Sequence, residues 1–157
     1  MTALSKKVFT ELQVYLWRIR FDNEDEWRPE IYLMGSDSAL RTMHDALISM
    51  SHEFQTEGQS TRKFLCNPPE DVDVVRLARE KNAEIEWQIW LIFRLEKESK
   101  DVRVSELKNK AVTVRLHEYT LNQFLQILDN QLSNPDEYPQ GQHAPGGLYL
   151  ATNWFKN

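Results

Sequence analysis

The chain contains a single cysteine, Cys66, and few residues that break regular structure, with five glycines and six prolines among 157 residues. One cysteine can form neither an intramolecular disulfide nor a cysteine metal cluster, so a reducing cytoplasm is the expected location. The sequence also shows no internal repeat and no long flexible linker at which a second domain would begin. We therefore expect one soluble α+β domain that spans residues 1–157.

Long apolar runs and an excess of basic residues are missing as well. The longest apolar run, 89–93, is far shorter than the roughly 18 residues that a membrane helix needs, and no signal peptide is evident, so no membrane partner is expected. The net charge is −5. This acidic balance argues against nucleic acid as the partner, because such binding draws its affinity from lysines and arginines that neutralise phosphates.

Alternating apolar residues predict most of the strands. The strongest pattern is Glu84–Glu96, in which Ile85, Trp87, Ile89, Leu91, Phe93 and Leu95 share one face. A brief pairing of Val102–Leu107 is expected within a charged turn. The other predicted strands are Val14–Phe21, Glu30–Met34, Thr61–Cys66, Ala111–His117 and Leu148–Phe155.

Apolar residues at three- and four-residue spacing predict three helices. The first begins at Ser36 or Ser38, and the second runs from Asn67-Pro68-Pro69-Glu70 to about Lys81, with Asn82 as a left-handed stop. The third begins with a capping box of Thr120 and Gln123 and ends at Ser133-Asn134-Pro135. We predict a mixed or mainly antiparallel sheet of about five to six strands packed with these three helices, and the strand order stays open.

Cys66 is one candidate for chemistry, because it lies where a strand ends and a helix is expected to begin. A helix N-terminus can lower a thiol pKa, and His117 at the end of another strand could serve as its base. The alternative is a small, buried, apolar side chain, which is the commoner role of a free cysteine. The sequence around Cys66 lacks the glycines of a nucleophile elbow, so we favour the packing role.

Trp27 and Arg28 are the candidate binding residues, because tryptophan and arginine are frequent in binding hot spots. The alternative is that Trp27 folds back and covers one end of the sheet. The acidic run before them, formed by Asp22, Glu24, Asp25 and Glu26, lacks the glycine of a calcium loop and is expected to be solvated.

Other polar residues give weaker patterns. The histidines, His44, His52, His117 and His143, lack metal-binding spacing, so no metal and no cofactor are expected. The loop from Gly141 to Gly147 matches no phosphate-binding motif and is expected to be a turn. Basic residues on strands near aromatic ones resemble a platform for single-stranded nucleic acid, but no matching motif is present. They are Arg18, Arg20, Arg62, Lys63 and Arg94.

Taken together, these patterns do not specify a function. We favour a non-enzymatic interaction or regulatory module with a protein partner, because no catalytic constellation is evident. The alternatives are a small cysteine-dependent enzyme that uses Cys66 and His117, and a sensor with a ligand pocket between sheet and helices. The sequence leaves the oligomeric state open.

Overall fold

The structure is a computed structural model that describes residues 9–23, 25–28, 30–67, 73–80, 82–97, 104–134, 141–145 and 147–151. Within these ranges the chain forms ten strands and three helices. In chain order they are β1 (Thr10–Glu11), β2 (Val14–Phe21), β3 (Ile31–Gly35), α1 (Asp37–Glu57), β4 (Gln59–Leu65), α2 (Asp73–Glu80), β5 (Ala83–Gln88), β6 (Trp90–Glu96), β7 (Val104–Lys108), β8 (Ala111–Leu116), α3 (Glu118–Ser133), β9 (Gln142–Ala144) and β10 (Leu148–Ala151).

The strands form two five-stranded sheets, and both contain parallel and antiparallel pairs. Sheet I has the order β1-β4-β6-β8-β7, and sheet II has the order β5-β2-β3-β10-β9. The predicted α+β class with mixed strand directions is confirmed. The expectation of one sheet is wrong, because the strands are divided between two separate sheets.

The division between the sheets falls inside the strand predicted for Glu84–Glu96. At Ile89 the chain leaves β2, its partner in sheet II, and continues between β4 and β8 in sheet I. The Ile89 and Trp90 amides both donate to the Lys110 carbonyl, while the Ile89 carbonyl accepts from the Cys66 amide. These bonds fix a bend that turns Ile89 outward, and its side chain is 40% exposed. The prediction that Ile89 shares one face with Leu91 and Phe93 is therefore wrong, because those two residues are buried.

Helix α1 begins and ends where local chemistry favours it. The Ser36 hydroxyl accepts from the Ala39 amide, which confirms Ser36 as the N-cap. Gly58 closes the helix with φ of +75°, a conformation that glycine adopts without steric cost. Its buried face carries six residues at three- and four-residue spacing or next to it, Ala39, Leu40, Met43, Leu47, Met50 and Phe54.

The starts of the other two helices differ from expectation or lie outside the described residues. In α3 the capping box is formed by His117 and Thr120, three residues before the predicted pair, because the His117 ring accepts from the Thr120 amide. The second helix is predicted to begin at Asn67-Pro68-Pro69-Glu70, and the three residues after Asn67 lie outside the described residues. Asn82 follows α2 with φ of +50°, which confirms the left-handed stop.

One cluster of buried residues includes the inner faces of both sheets and the apolar sides of α1 and α3. Leu91, Phe93, Phe124 and Leu128 are completely buried in this cluster. Helix α1 connects β3 of sheet II to β4 of sheet I, and α3 follows β8 of sheet I and precedes β9 of sheet II. Because one face of each sheet packs into this core, the other face of each sheet points away from it. None of the described helices combines the length and the apolar character needed to cross a bilayer.

Candidate functional site

The outer face of sheet II carries a line of aromatic side chains. In β2, Val14 and Leu16 enter the core, so Tyr15 and Trp17 point outward, because successive side chains of a strand alternate between faces. Strand register places one aromatic residue of each neighbouring strand on the same line. In spatial order these residues are Trp87, Trp17, Tyr32, Tyr149 and His143, and we call them the aromatic row.

The rings of the aromatic row contact each other across all five strands. Trp17 lies with its ring centroid 5.5 Å from that of Trp87 and 5.5 Å from that of Tyr32, with which it stacks at 17°. The Tyr149 ring meets Tyr32 at 5.7 Å and His143 at 4.7 Å, both edge to face. Stacked and edge-to-face pairs at these distances are the arrangements that aromatic quadrupoles favour. The row is therefore a continuous, well-packed surface layer.

Burial varies along the aromatic row. Trp17 at its centre is only 2% exposed. Trp87, Tyr32 and Tyr149 around it are half-buried, and His143 at the end is exposed. An antiparallel sheet that faces water normally carries polar side chains on that face. Apolar side chains that stay partly open on the outer face of a sheet are instead a candidate interaction surface.

Trp27 and Arg28, the predicted binding residues, lie at the end of β2 but on different sides of it. The Trp27 ring is half-buried beside two guanidinium groups, with Arg18 at 4.9 Å and Arg20 at 5.2 Å from its centroid. This geometry favours the packing role for Trp27, since cation–π contacts hold its ring against the strand. Arg28 is exposed, and its guanidinium lies 4.6 Å from the Phe21 ring on the outer face. Arg28 thus borders the surface that continues into the aromatic row.

A charged ladder fixes β5 against β2 beside Trp27. The Arg18 guanidinium donates to both oxygens of the Glu86 carboxylate, at 2.8 and 3.1 Å. The Gln88 side chain donates to the same carboxylate at 3.0 Å. These hydrogen bonds lower the pKa of Glu86 below its usual value, and the bond from Arg18 has the largest effect. Because Trp17 and Trp87 are neighbours in the same strand pair, the ladder also holds the first two rings of the aromatic row in register.

The structure does not bring Cys66 and His117 together. The Cys66 amide bonds to Ile89, immediately before β6, whereas Leu116 pairs with Leu95 near the end of β6. Six residues of strand separate these points, which corresponds to about 20 Å. Burial also raises the pKa of the Cys66 thiol to about 12, so the thiol stays protonated at neutral pH. His117 caps α3 instead of meeting a nucleophile.

The remaining candidates are dispersed over the molecule. His44 lies between α1 and α3 with its Nε2 atom 3.4 Å from Asp129, and His52 is exposed on α1. In the acidic run Asp22, Asp25 and Glu26 are exposed, and Glu24 lies outside the described residues. No group of three or more histidine, cysteine, aspartate or glutamate side chains in the described ranges could hold a metal ion. Part of the loop expected at 141–147 is a strand, β9, which carries His143 into the aromatic row.

No protein-family model matches this chain, and no curated protein matches it either. Its function is therefore inferred from the chemistry of its own residues.

The aromatic row is the feature that sequence reasoning missed. The alternation in β2 already places Tyr15, Trp17 and Ile19 on one face, and Trp87 belongs to a strand with the same periodicity. These residues form one row only because their strands are neighbours in the sheet, and alternation within a single strand does not predict which strands are neighbours. β9 was not recognised as a strand, so His143 had no reason to be placed beside Tyr149.

Proposed function

We propose that this protein is a non-enzymatic binding module that recognises another protein through the outer face of sheet II. The observation that carries the proposal is the aromatic row, in which rings from five neighbouring strands line up in register and the four rings around the buried Trp17 stay partly open to solvent. Leaving such rings in water forgoes the free energy that their burial would contribute, about 25 cal/mol for each Å² of apolar surface. A partner that covers the row would recover it.

The residue types in the aromatic row suit a protein partner. Tyrosine and tryptophan are enriched in protein interfaces, where each ring offers a large apolar area and one polar group for orientation. Trp17 is already buried and packed against Tyr32 and Trp87, so the centre of the row needs little further ordering on binding. Arg28, which lies against Phe21 at the end of β2, and His143, the exposed last member of the row, supply polar groups at its edges.

The cysteine enzyme is the weaker interpretation. A thiol with a pKa of about 12 is not a nucleophile at neutral pH, and the proposed base lies at the other end of sheet I. A binding role requires neither activated group, so it fits both the aromatic row and the placement of Cys66 as a core residue.

Co-purification from the native lysate tests the proposal with two matched tyrosine variants. Tyr149→Ala removes a ring from the aromatic row, whereas Tyr119→Ala removes a ring that is 68% exposed at the start of α3. We expect the partner to be lost from Tyr149→Ala and retained by wild type and Tyr119→Ala. Loss of a well-packed interface aromatic costs about 2 kcal/mol or more, which weakens binding by about 30-fold.

The proposal fails if no protein co-purifies with the wild type, or if Tyr149→Ala retains the same proteins as Tyr119→Ala. Circular dichroism of both variants separates loss of the partner from loss of the fold.

A further inference from the structure

The outer face of sheet I carries three basic side chains on three neighbouring strands. Phe64, Phe93 and Val114 enter the core, so the adjacent residues Lys63, Arg94 and Arg115 point to the other side of the sheet. We call Lys63, Arg94 and Arg115 the basic patch. The nucleic-acid platform considered from the sequence also included Arg18, Arg20 and Arg62, but these three pair with glutamates elsewhere in the fold.

Two members of the basic patch are register partners. Arg94 of β6 lies directly opposite Arg115 of β8 on the same face, and neighbouring strands are about 4.8 Å apart. Like charges placed directly opposite each other destabilise a sheet. Fold stability therefore gives no reason for this arrangement, whereas an anion bound between the two guanidinium groups would relieve the repulsion.

Arg94 and Arg115 differ from several other arginines of this acidic protein. Arg18, Arg20, Arg41 and Arg62 form ion pairs with carboxylates. Neither Arg94 nor Arg115 does so with any described carboxylate, although the chain has five more acidic than basic side chains. Glu11 and Glu96 occupy the two ends of the same face, and neither forms an ion pair with the basic patch within the described ranges.

The Arg115 side chain has a buried hydrogen-bond donor that lacks an acceptor in the described part of the chain. Its Nε atom is buried and has no hydrogen-bond partner among the described residues. A buried donor without an acceptor is costly, and the guanidinium fork is shaped to donate two parallel hydrogen bonds to one carboxylate. Arg94 is exposed beside it and can bind a second oxygen or a second carboxylate.

An apolar surface adjoins the basic patch. The Lys63 ammonium lies 5.1 Å from the centroid of the Trp90 ring, which is half-buried, and Phe9 meets Trp90 edge to face at 5.0 Å. An occupant of this face therefore meets positive charge and an aromatic ring together, which suits a polypeptide better than a bare inorganic anion.

We infer that the outer face of sheet I binds an acidic polypeptide segment, with carboxylates held by Arg94 and Arg115 and an apolar side chain placed on Trp90. The net charge of −5 favours a short acidic segment over nucleic acid, because a long polyanion is repelled by the rest of the protein. This surface is separate from the aromatic row, so the inference does not depend on the proposed function.

Fluorescence anisotropy tests the inference with a fluorescein-labelled peptide of alternating glutamate and leucine, titrated at low and at physiological ionic strength. A single-stranded oligothymidylate of equal charge serves as the competing anion. We expect saturable peptide binding that weakens as salt is added. Arg115→Gln should weaken it by about ten-fold or more, because a charge-assisted hydrogen bond is lost.

Arg79→Gln is the matched control, because Arg79 is exposed on α2 and this substitution removes the same charge outside the strands of the basic patch. Arg94→Gln, on an exposed side chain, keeps the test valid if Arg115→Gln does not fold. Weaker peptide binding by the patch variants with unchanged binding by Arg79→Gln supports the inference. Absence of saturable peptide binding by the wild type, equal weakening by Arg79→Gln, or tighter binding of the oligothymidylate overturns it.

Discussion

Single side chains in this protein owe their chemistry to burial more than to their neighbours in sequence. Cys66 follows β4 directly, and its thiol is 3% exposed among core residues. Its sulfur lies 3.9 Å from the Phe64 carbonyl, a weak contact that does not stabilise a thiolate. Burial disfavours the charged form, which is why the pKa of the thiol rises to about 12.

Alkylation of Cys66 tests this assignment. We expect the folded protein to resist iodoacetamide at about pH 8 and to react within minutes once denaturant exposes the thiol, whose ordinary pKa is about 8.5. Mass spectrometry of the intact chain measures the adduct. Rapid alkylation of the folded protein at neutral pH would contradict the burial of Cys66 and reopen the enzyme interpretation.

Glu86 should make the stability of the protein depend on pH. The folded-state pKa of Glu86 is lowered chiefly by Arg18. The ionised carboxylate therefore adds to the free energy of unfolding above the unfolded pKa of about 4.3, and this stabilisation is lost as the pH falls through the folded-state pKa. We expect Glu86→Gln to reduce the free energy of unfolding at pH 7 by about 0.2–1 kcal/mol, because the pair is partly exposed.

Urea unfolding at pH 7 and at about pH 3 measures the effect of Glu86→Gln, with Glu80→Gln as a control on an exposed carboxylate of α2. The difference between Glu86→Gln and wild type should shrink at the lower pH. A difference that stays the same at both pH values, or a Glu80→Gln variant with the same profile, would show that Arg18 and Glu86 do not couple in this way.

At the scale of elements, the sequence predicts those parts that depend on local spacing. The apolar faces of α1 and α3 and the alternation in β2, β6 and β8 follow from residues within each element. The bend at Ile89 was missed, because the alternation of Glu84–Glu96 continues through it unchanged. Only hydrogen bonds from distant residues, Lys110 and Cys66, divide that strand.

The position of β9 depends on a glycine. Gly141 has φ of +93°, and a Cβ at this position would collide with the Leu150 carbonyl oxygen. Gly58 has a similar φ of +75°, but a Cβ there would meet only the Lys97 side chain, at an ordinary contact distance of 3.8 Å. We expect Gly58→Ala to cost about 1–2 kcal/mol from the left-handed conformation alone, and Gly141→Ala to cost more because the backbone must also move.

Thermal unfolding of the two glycine variants compares these costs. Hydrogen exchange of the β9 amides shows whether Gly141→Ala also displaces His143 from the aromatic row. Equal destabilisation by the two substitutions, with β9 still protected, would be incompatible with the close approach of Gly141 to β10.

At the scale of the whole molecule, two helices and two sheets share one core and leave two outer faces of different chemistry. One face is aromatic, from Trp87 to His143, and the other carries Arg94 and Arg115. Sequence reasoning could not assemble either surface, because both depend on which strands are neighbours. The single domain over residues 1–157 stays a prediction, which the common core supports.

The most direct test of the proposed function asks what covers the aromatic row in the cell. A photo-crosslinking phenylalanine derivative is placed at Tyr149 in the row, and in a second variant at the exposed Tyr119 on α3. We predict that irradiation of living cells links position 149, but not position 119, to one discrete protein. Irradiation that gives no adduct at position 149, or the same adducts at both positions, would contradict the assignment of the outer face of sheet II as a binding surface.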